Sequence, residues 1–323
     1  MFFDTLYAKA RKHPKRIAFV DATFAQVVKA ARLFKDGGFG TPYLVGKKSE
    51  IATLAGLQGI SLDGMEFIEM PFPSRETFAK EYAELRKAKG VTLEQAQDKM
   101  REPHYIAMMC LRHGTIDGVV SGFVSATKPF LPAFEIIKTK EGMGKASSYF
   151  IMTREERVFL FADCGIQINP TSEELADIGI NTADSAKFLG LSPKVAFLSF
   201  STHGTAKGPD VEKVQQAVAL ARQKRPDLLM DGEMQLDAAI LPDVCEKKYP
   251  GSRIAGDANV LIFPDLDAGN IGYKISERLA GFHAVGPLLQ GLRSPVQDLS
   301  RGAQTQDILD SAVICVLQAQ AIQ

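Results

Sequence analysis

Short apolar runs alternate with longer amphipathic stretches along this chain. The runs 16–21, 41–46 and 66–69 each have the length and composition of a buried strand. Between them, residues 23–35 and 48–56 repeat apolar side chains at helical spacing. Strand, helix and strand at this spacing predict βαβ units with parallel neighbouring strands.

The same alternation continues to the end of the chain and predicts an α/β fold throughout. Further predicted helices cover 3–12, 75–89, 93–112, 130–138, 172–190, 211–224, 270–279 and a terminal stretch, with Thr92 and Thr305 as N-caps of the helices that follow them. Further predicted strands cover 118–122, 194–199, 228–230 and 260–263, with a hairpin over 147–152 and 157–162. Ligands of such sheets bind in the loops at the carboxyl ends of strands, which points to the loops after residues 120, 162, 200 and 263.

Composition narrows the classes of function. A chain of 323 residues is long enough for two domains. Lys plus Arg equals Asp plus Glu, at 38 each, which argues against a general nucleic-acid binder. The four cysteines, Cys110, Cys164, Cys245 and Cys315, lie far apart, which favours a reducing cytoplasm over a disulfide framework or a zinc site. The chain has no apolar run long enough to span a bilayer and no apolar signal core, so we expect no membrane partner.

The stretch 298–307 concentrates chemistry in ten residues. Ser300, Arg301 and Gly302 form a loop that can bind an anion, because arginine binds phosphate bidentately and glycine lets a ligand approach the backbone. Asp307 follows in the first turn of the predicted terminal helix. An ordinary explanation fits Asp307 equally well, since a carboxylate there stabilises the helix dipole.

The loop 199–208 lies between a predicted strand and a predicted helix. It holds Ser201, Thr202, Gly204 and Lys207, a set that can cradle phosphate through backbone N–H groups. Its glycine spacing matches neither a Walker motif nor a dinucleotide fingerprint. The alternative is an ordinary polar loop.

Three other stretches carry charge or polar groups with two possible explanations each. The carboxylates of 231–237 suggest a divalent metal site or a turn before a capped helix. Asn270 is placed to contact a ligand at a helix start, or to cap that helix. Arg86 is either a ligand-binding residue or part of a solvated helix face.

Five segments, taken together and in order, resemble the phosphate acetyltransferases of the phosphate acetyl/butyryltransferase family. They are Phe161-Ala-Asp-Cys-Gly165, Ser201-Thr-His-Gly-Thr-Ala-Lys-Gly-Pro209, Asp231-Gly-Glu-Met-Gln-Leu-Asp-Ala-Ala239, Phe263-Pro-Asp-Leu-Asp-Ala-Gly-Asn270 and Asp298-Leu-Ser-Arg-Gly302. The resemblance extends from about residue 80 to the end of the chain.

This resemblance implies a fold and an activity. The fold is two three-layer αβα domains with a cleft between them, similar to isocitrate and isopropylmalate dehydrogenases. The first domain is then discontinuous, 1–139 plus 287–323, and the second is 140–286. The implied reaction is reversible acetyl transfer between coenzyme A and phosphate, with both as substrates and no metal or redox cofactor. A cytoplasmic homodimer in acetate metabolism is implied as well.

The resemblance also assigns roles to residues. Ser300 and Arg301 match the family's catalytic Ser-Arg pair, and Asp307 matches the acid proposed to deprotonate the coenzyme A thiol. Arg278 and Arg86 match arginines that bind coenzyme A or lie in the active site.

One departure from the family concerns a positive charge. Leu131 stands where the family usually has an arginine, in Phe130-Leu-Pro-Ala133. Lys128, three residues earlier, is the candidate replacement, although it offers a point charge rather than a planar fork. The candidate substrate-binding set is Arg278, Arg86, Ser201, Thr202, Gly204, Lys207, Asn270 and Lys128.

Three other functions fit parts of this pattern. The chain can be a phosphate butyryltransferase or have another acyl specificity. The leucine at 131 also allows a non-catalytic module that binds acyl-CoA. The carboxylates near Asp231 and Asp265 allow a metal- and NAD-dependent decarboxylating dehydrogenase, against which stands the missing dinucleotide fingerprint.

Overall fold

The computed structural model describes residues 2–69, 74–124, 130–299 and 302–322, with the backbone alone at Ser74 and Phe130. The chain divides into two compact units. Residues 3–140 together with 292–323 form the first unit, and 141–291 form the second.

The strands within the described ranges follow in chain order. They are β1 (Lys15–Phe19), β2 (Gly40–Val45), β3 (Glu66–Ile68), β4 (Gly118–Ser121), β5 (Ser147–Arg154), β6 (Arg157–Ala162), β7 (Lys194–Leu198), β8 (Leu229–Met234), β9 (Val260–Ile262), β10 (His283–Gln290) and β11 (Val296–Asp298).

The helices of these ranges are numbered in the same way. They are α1 (Phe2–Ala10), α2 (Ala25–Asp36), α3 (Lys48–Leu57), α4 (Ser74–Leu85), α5 (Leu93–Lys99), α6 (Pro103–Arg112), α7 (Phe130–Pro132), α8 (Ser172–Phe188), α9 (Pro209–Lys224), α10 (Leu236–Ile240), α11 (Pro242–Lys248), α12 (Leu266–Arg278) and α13 (Thr305–Ala321). A 3₁₀ turn covers Lys87–Lys89, and a π turn, Ala133–Ile137, follows α7.

The first unit is built on a five-stranded sheet in the order β11-β4-β1-β2-β3, in which every pairing is parallel. Helix α13 packs against α2 and against β1, β4 and β11. Its predicted apolar face is confirmed, because Ile308, Ala312 and Val316 have no exposed surface. Burial of this apolar face stabilises the packing of α13 on the sheet.

The second unit is built on a six-stranded sheet in the order β10-β5-β6-β9-β7-β8. The pairings of β6 with β9, β9 with β7 and β7 with β8 are parallel. Strand β5 pairs antiparallel with both β10 and β6, so the predicted hairpin of β5 and β6 is confirmed. A core cluster includes the buried side chains Phe150, Phe161, Leu198 and Met234. The mixed α/β architecture with two mainly parallel sheets agrees with the expected fold class.

Several predicted boundaries were wrong for identifiable reasons. The helix predicted over 93–112 is two helices, because Pro103 lacks the N–H that a continuous helix needs and starts α6 instead. Its expected cap, Thr92, is confirmed: Gln95 N donates to Thr92 Oγ1 at 3.2 Å. The return to the first unit comes after residue 291 rather than at 287, because β10 pairs with β5 as far as Gln290.

Two further predictions need correction in the second unit. Within 231–237, for which a metal site or a turn before a capped helix was expected, residues 231–234 are the end of β8. Helix α12 starts at Leu266 rather than at Asn270, with Asp265 as its N-cap. In the part of the chain that the structure covers, no helix combines the length and apolarity needed to cross a bilayer.

Candidate functional site

Helix α13 holds Asp307 in its first turn. Ser300 and Arg301, expected to be catalytic, and Lys128 lie outside the described residues. The N-cap of α13 is Gln304, which corrects the expected Thr305; its N–H donates to Asp307 Oδ2 at 2.8 Å. Asp307 therefore serves as a helix-capping residue, as the ordinary explanation states, and its other oxygen has no hydrogen-bond partner among the described residues.

Arg86 does not lie on a solvated helix face. Its side chain is 24% exposed, and Nη2 contacts Glu135 Oε1 at 3.1 Å. The same carboxylate accepts hydrogen bonds from Tyr82 at 2.7 Å and from Tyr105 at 2.9 Å. Burial, followed by the bond to Glu135, raises the pKa of Tyr82 to about 12. Two tyrosines therefore fix the carboxylate that orients Arg86.

Leu131, in α7, has half of its surface exposed. An apolar side chain at this position supplies neither charge nor hydrogen bond to an anion. The resemblance expects a cation at both position 86 and position 131 of the first unit. The structure therefore shows one of these two cations, Arg86, and an uncharged side chain at Leu131.

The carboxyl ends of β1 and β4 meet at a buried carboxylate. Asp21, just after β1, accepts hydrogen bonds through Oδ2 from Gly122 N and Phe123 N, both at 3.0 Å. His104 of α6 approaches it, with Nε2 3.9 Å from Asp21 Oδ1. The hydrogen bonds to Asp21 thus connect the turn after β4 to the end of β1.

Asp298 is a second buried carboxyl at this edge, at the end of β11. It is paired in register with Ser121 of β4, and the two residues are 3% and 0% exposed. Burial, and to a lesser degree the charge of Asp21, raises the pKa of Asp298 to about 8. Leu299 N donates to Ser121 O at 2.7 Å. Burial therefore favours the protonated form of Asp298.

Hydrogen bonds within the protein engage much of the backbone of the loop 199–208 in the second unit. Ser201 and Thr202 are fully buried. The backbone N–H groups from Ser201 to Ala206 are all donated within the protein, in turn to Ser199 Oγ, Thr205 Oγ1, Glu233 O, Glu233 Oε1, Thr202 O and Ser201 Oγ. All of these donors are engaged within the protein, which favours the ordinary polar loop, and the backbone cradle stays a prediction.

Glu233 organises that loop from the neighbouring strand β8. Its Oε1 accepts from Ser201 Oγ at 2.9 Å and from Gly204 N at 2.8 Å. Burial favours the neutral acid, but the hydrogen bonds prevail and lower the pKa of Glu233. Ser201, Thr202 and Gly204 thus shape the loop, and the exposed ammonium of Lys207 is what the loop offers to an anion.

Asp231 is a structural carboxylate rather than a metal ligand. Its two oxygens accept hydrogen bonds from five donors: Arg222 Nη2, Tyr249 OH, Gly232 N, Ser252 Oγ and Arg253 N. A carboxylate has about four lone-pair sites, so these donors occupy it fully. Burial alone would raise its pKa, but the donors outweigh burial and lower it.

Asp163, in the loop after β6, is a buried carboxyl of the same kind. Ser148 Oγ and the N–H groups of residues 165–167 donate to it. Burial raises its pKa in spite of these bonds. The loop that carries the motif 161–165 is therefore folded around one side chain.

Helix α12 places two predicted ligand-binding residues differently. Asn270 lies inside the helix; its Nδ2 donates to Cys164 O at 3.1 Å and its Oδ1 accepts from Lys274 at 2.7 Å. Arg278, the last residue of α12, is 78% exposed at its side chain and contacts Glu277 at 3.3 Å. Asn270 joins two segments of the fold, whereas Arg278 can reach a ligand.

Sequence reasoning missed Glu135, Asp21, His104, Asp298 and Glu233. Asp298 and Glu233 lie within the segments 298–302 and 231–239, and their place in these segments is the one sequence feature that points to them. Glu135 and Asp21 gain their roles from partners about 50 and 100 residues away, as the contacts to Arg86 and Gly122 show.

Comparison with known proteins gives one consistent result. Residues 1–316 match the sequence profile of the family described as phosphate acetyl/butaryl transferase. The phosphate acetyltransferase of Bacillus subtilis is 43% identical over 319 residues, which is 98% of each chain. That of Nitratidesulfovibrio vulgaris is 41% identical over 323 residues, and there the chain spans about half the length (46%) of its relative.

Solved structures agree. A phosphotransacetylase from Streptococcus pyogenes superposes with a TM-score of 0.95 at 41% identity, covering 99% of this chain and 98% of the other. A structure described as a putative 4-hydroxythreonine-4-phosphate dehydrogenase from Salmonella typhimurium, at 12% identity, has a TM-score of 0.58 over 94% of this chain and 98% of the other. The second match shows a shared fold only.

Proposed function

The chain belongs to the phosphate acetyl/butaryl transferase family, and we propose that it transfers an acetyl group reversibly between coenzyme A and inorganic phosphate. The observation that carries this proposal is the 43% identity to a phosphate acetyltransferase over 98% of both chains. The ordered segments around Asp163 and Glu233 support it, since each buried carboxyl accepts hydrogen bonds from the loop of its family motif.

The reaction needs an oriented phosphate and a stabilised carbonyl oxygen. A phosphate oxygen attacks the thioester carbon, the carbon–sulfur bond breaks, and the proton of hydrogen phosphate passes to the departing thiolate. We assign phosphate binding to Arg301, whose planar fork suits a dianion. Ser300 donates a hydrogen bond to the carbonyl oxygen or to the sulfur, a contribution worth on the order of 10²–10³ in rate.

In the reverse direction the coenzyme A thiol must lose a proton. We assign this step to Asp307, as the resemblance implies. Its Oδ2 is held by Gln304 N at 2.8 Å, which fixes the carboxylate and leaves Oδ1 for the proton. A carboxylate at a helix N-terminus is a weak base, because the dipole favours its ionised form.

We propose that cationic side chains accessible to a ligand bind the anionic coenzyme A. Arg278 and Lys207 are exposed at their side chains, and Glu135 orients Arg86. Lys128 remains a proposed contact from the resemblance. The inward hydrogen bonds of Ser201, Thr202 and Asn270 favour a structural role for these three residues.

We also propose a cellular setting for this activity. We expect a homodimer that works in acetate metabolism in the cytoplasm, without a metal or redox cofactor. All four cysteines are buried and unpaired, which fits a reducing compartment.

An acyl-CoA panel tests the proposal against its alternatives. Thiol release is followed with phosphate and acetyl-, propionyl- or butyryl-CoA, and we expect the highest kcat/KM with acetyl-CoA. A preference for butyryl-CoA would reassign the acyl group. Coenzyme A binding without turnover of any thioester would instead support the non-catalytic module, for which Leu131 is the motivating feature.

A further inference from the structure

Two buried polar groups of the first unit are not used by the mechanism above. Asp298 ends β11, and Ser121 lies opposite it at the end of β4. Asp298 Oδ1 and Ser121 Oγ are both buried and have no hydrogen-bond partner among the described residues. Buried polar atoms are rarely left this way, so such a pair at the ligand-binding edge of a parallel sheet indicates a function.

The Asp298 carboxyl packs directly on the turn after β4. A Cβ atom added at Gly122 would lie 2.0 Å from Asp298 Oδ1 and 2.9 Å from Leu299 N. Gly122 has a φ of +104°, a conformation that disfavours other residues. The backbone of this turn is thus shaped to admit the carboxyl group.

The same turn already carries a negative group. Gly122 N and Phe123 N both donate to Asp21, so they are not free for Asp298. The charged or titratable groups that the described residues place around Asp298 are Asp21, after β1, and His104 of α6, which faces Asp21 at 3.9 Å. A second negative charge here would be buried beside the first.

We propose that Asp298 is a positioning residue that works in its neutral form and seats the end of β11 against the Gly122 turn, two residues before Ser300 in the sequence. This rests on the proposed function, since it assumes that Ser300 and Arg301 act on the substrates. Ionisation of Asp298 places an unpaired charge in the turn and unseats the end of β11.

The first test is the pH dependence of thiol release from acetyl-CoA and phosphate. Wild-type kcat is expected to fall as pH rises through about 8, the pKa of Asp298. Asp298→Asn is expected to retain kcat within about fivefold at pH 7 and to lose that fall, because an amide keeps the shape and a donor of the neutral acid. Asp298→Ala is expected to lose about tenfold or more in kcat, through misplacement of the end of β11.

The second readout does not depend on activity. The proton that the folded protein retains stabilises it fully below about pH 4, and this contribution is lost as pH rises to about 8. The melting temperature of Asp298→Asn should therefore rise relative to wild type between pH 5 and pH 8. Asp257→Asn, an exposed carboxylate 71% accessible at its side chain, is the control and should show no such trend.

The outcomes separate the two proposals. A wild-type protein without transferase activity, but with the pH-dependent melting difference, would overturn the proposed function and leave the neutral Asp298 supported. An alkaline fall that persists in Asp298→Asn, or a folded Asp298→Asn that is as inactive at pH 7 as Asp298→Ala, would overturn the role of Asp298. A melting difference that stays constant from pH 5 to pH 8 would do so as well.

Discussion

Removal of the Asp231 carboxylate tests whether the acidic stretch of β8 is structural. Asp231 is 1% exposed and accepts hydrogen bonds from five donors, among them the Arg222 guanidinium. Asp231→Ala leaves these donors without an acceptor. Breaking a buried charged pair from one side costs about 3–5 kcal/mol. Arg222 is partly exposed and can turn to solvent, so the lower end of that range is expected.

The expected loss is large enough to measure by calorimetry. At roughly 2–4 °C per kcal/mol for a unit of this size, a loss of about 3 kcal/mol should lower the melting temperature by roughly 6–12 °C at pH 7. The pKa of Asp231 is lowered in the folded protein, so its contribution is fully present above about pH 4 and is lost as pH falls further. The difference from wild type should therefore shrink under acid conditions.

The matched control is Asp243→Ala, which removes an exposed carboxylate from the first turn of α11. Such surface changes stay within about 0.5 kcal/mol, or about 2 °C. Equal melting temperatures for the two variants at pH 7 would refute the structural role of Asp231. A melting temperature of the wild type that drops on addition of a chelator would also refute it, in favour of a metal site.

Two other predictions concern binding of the anionic substrates. Arg278→Ala should raise KM for acetyl-CoA roughly tenfold with little change in kcat, because a charge-assisted hydrogen bond is lost, while the exposed Arg157→Ala should leave KM unchanged. Equal effects of the two variants would remove Arg278 from the binding site. Leu131→Arg should lower KM for one of the two substrates by about threefold to tenfold, since a half-exposed position accepts a planar cation that suits phosphate. Leu57→Arg, at a position 79% exposed in α3, is its control, and an unchanged KM in Leu131→Arg would show that this position faces no anion.

Local patterns predicted much of the fold. The βαβ alternation of the first unit and the hairpin of the second are visible in the sequence because a buried strand is a short apolar run and a surface helix is amphipathic. Strand β11 was not predicted, since three residues carry too little pattern. Strand β10 was missed as well, because its side chains are buried irregularly around a break in register between Val285 and Leu288.

The candidate site was predictable as a set of segments but not as a set of contacts. The loop at 201–206 has the composition of a phosphate cradle, and only the fold shows that Glu233 of the adjacent strand takes one of its N–H groups through Oε1 and another through its backbone carbonyl. Asp298 looks like an ordinary polar residue before Ser300 in the sequence. Its burial against Gly122 and Asp21 arises because three strands end together, which depends on pairing between residues far apart in the chain.

The central claim is that phosphate, rather than water, receives the acetyl group. The direct measurement follows thiol release and acetyl phosphate in the same reaction of purified protein with acetyl-CoA and phosphate. We predict one acetyl phosphate for each thiol released, and no thiol release when phosphate is omitted. Thiol release that proceeds without acetyl phosphate, or no release with phosphate present, would contradict the account.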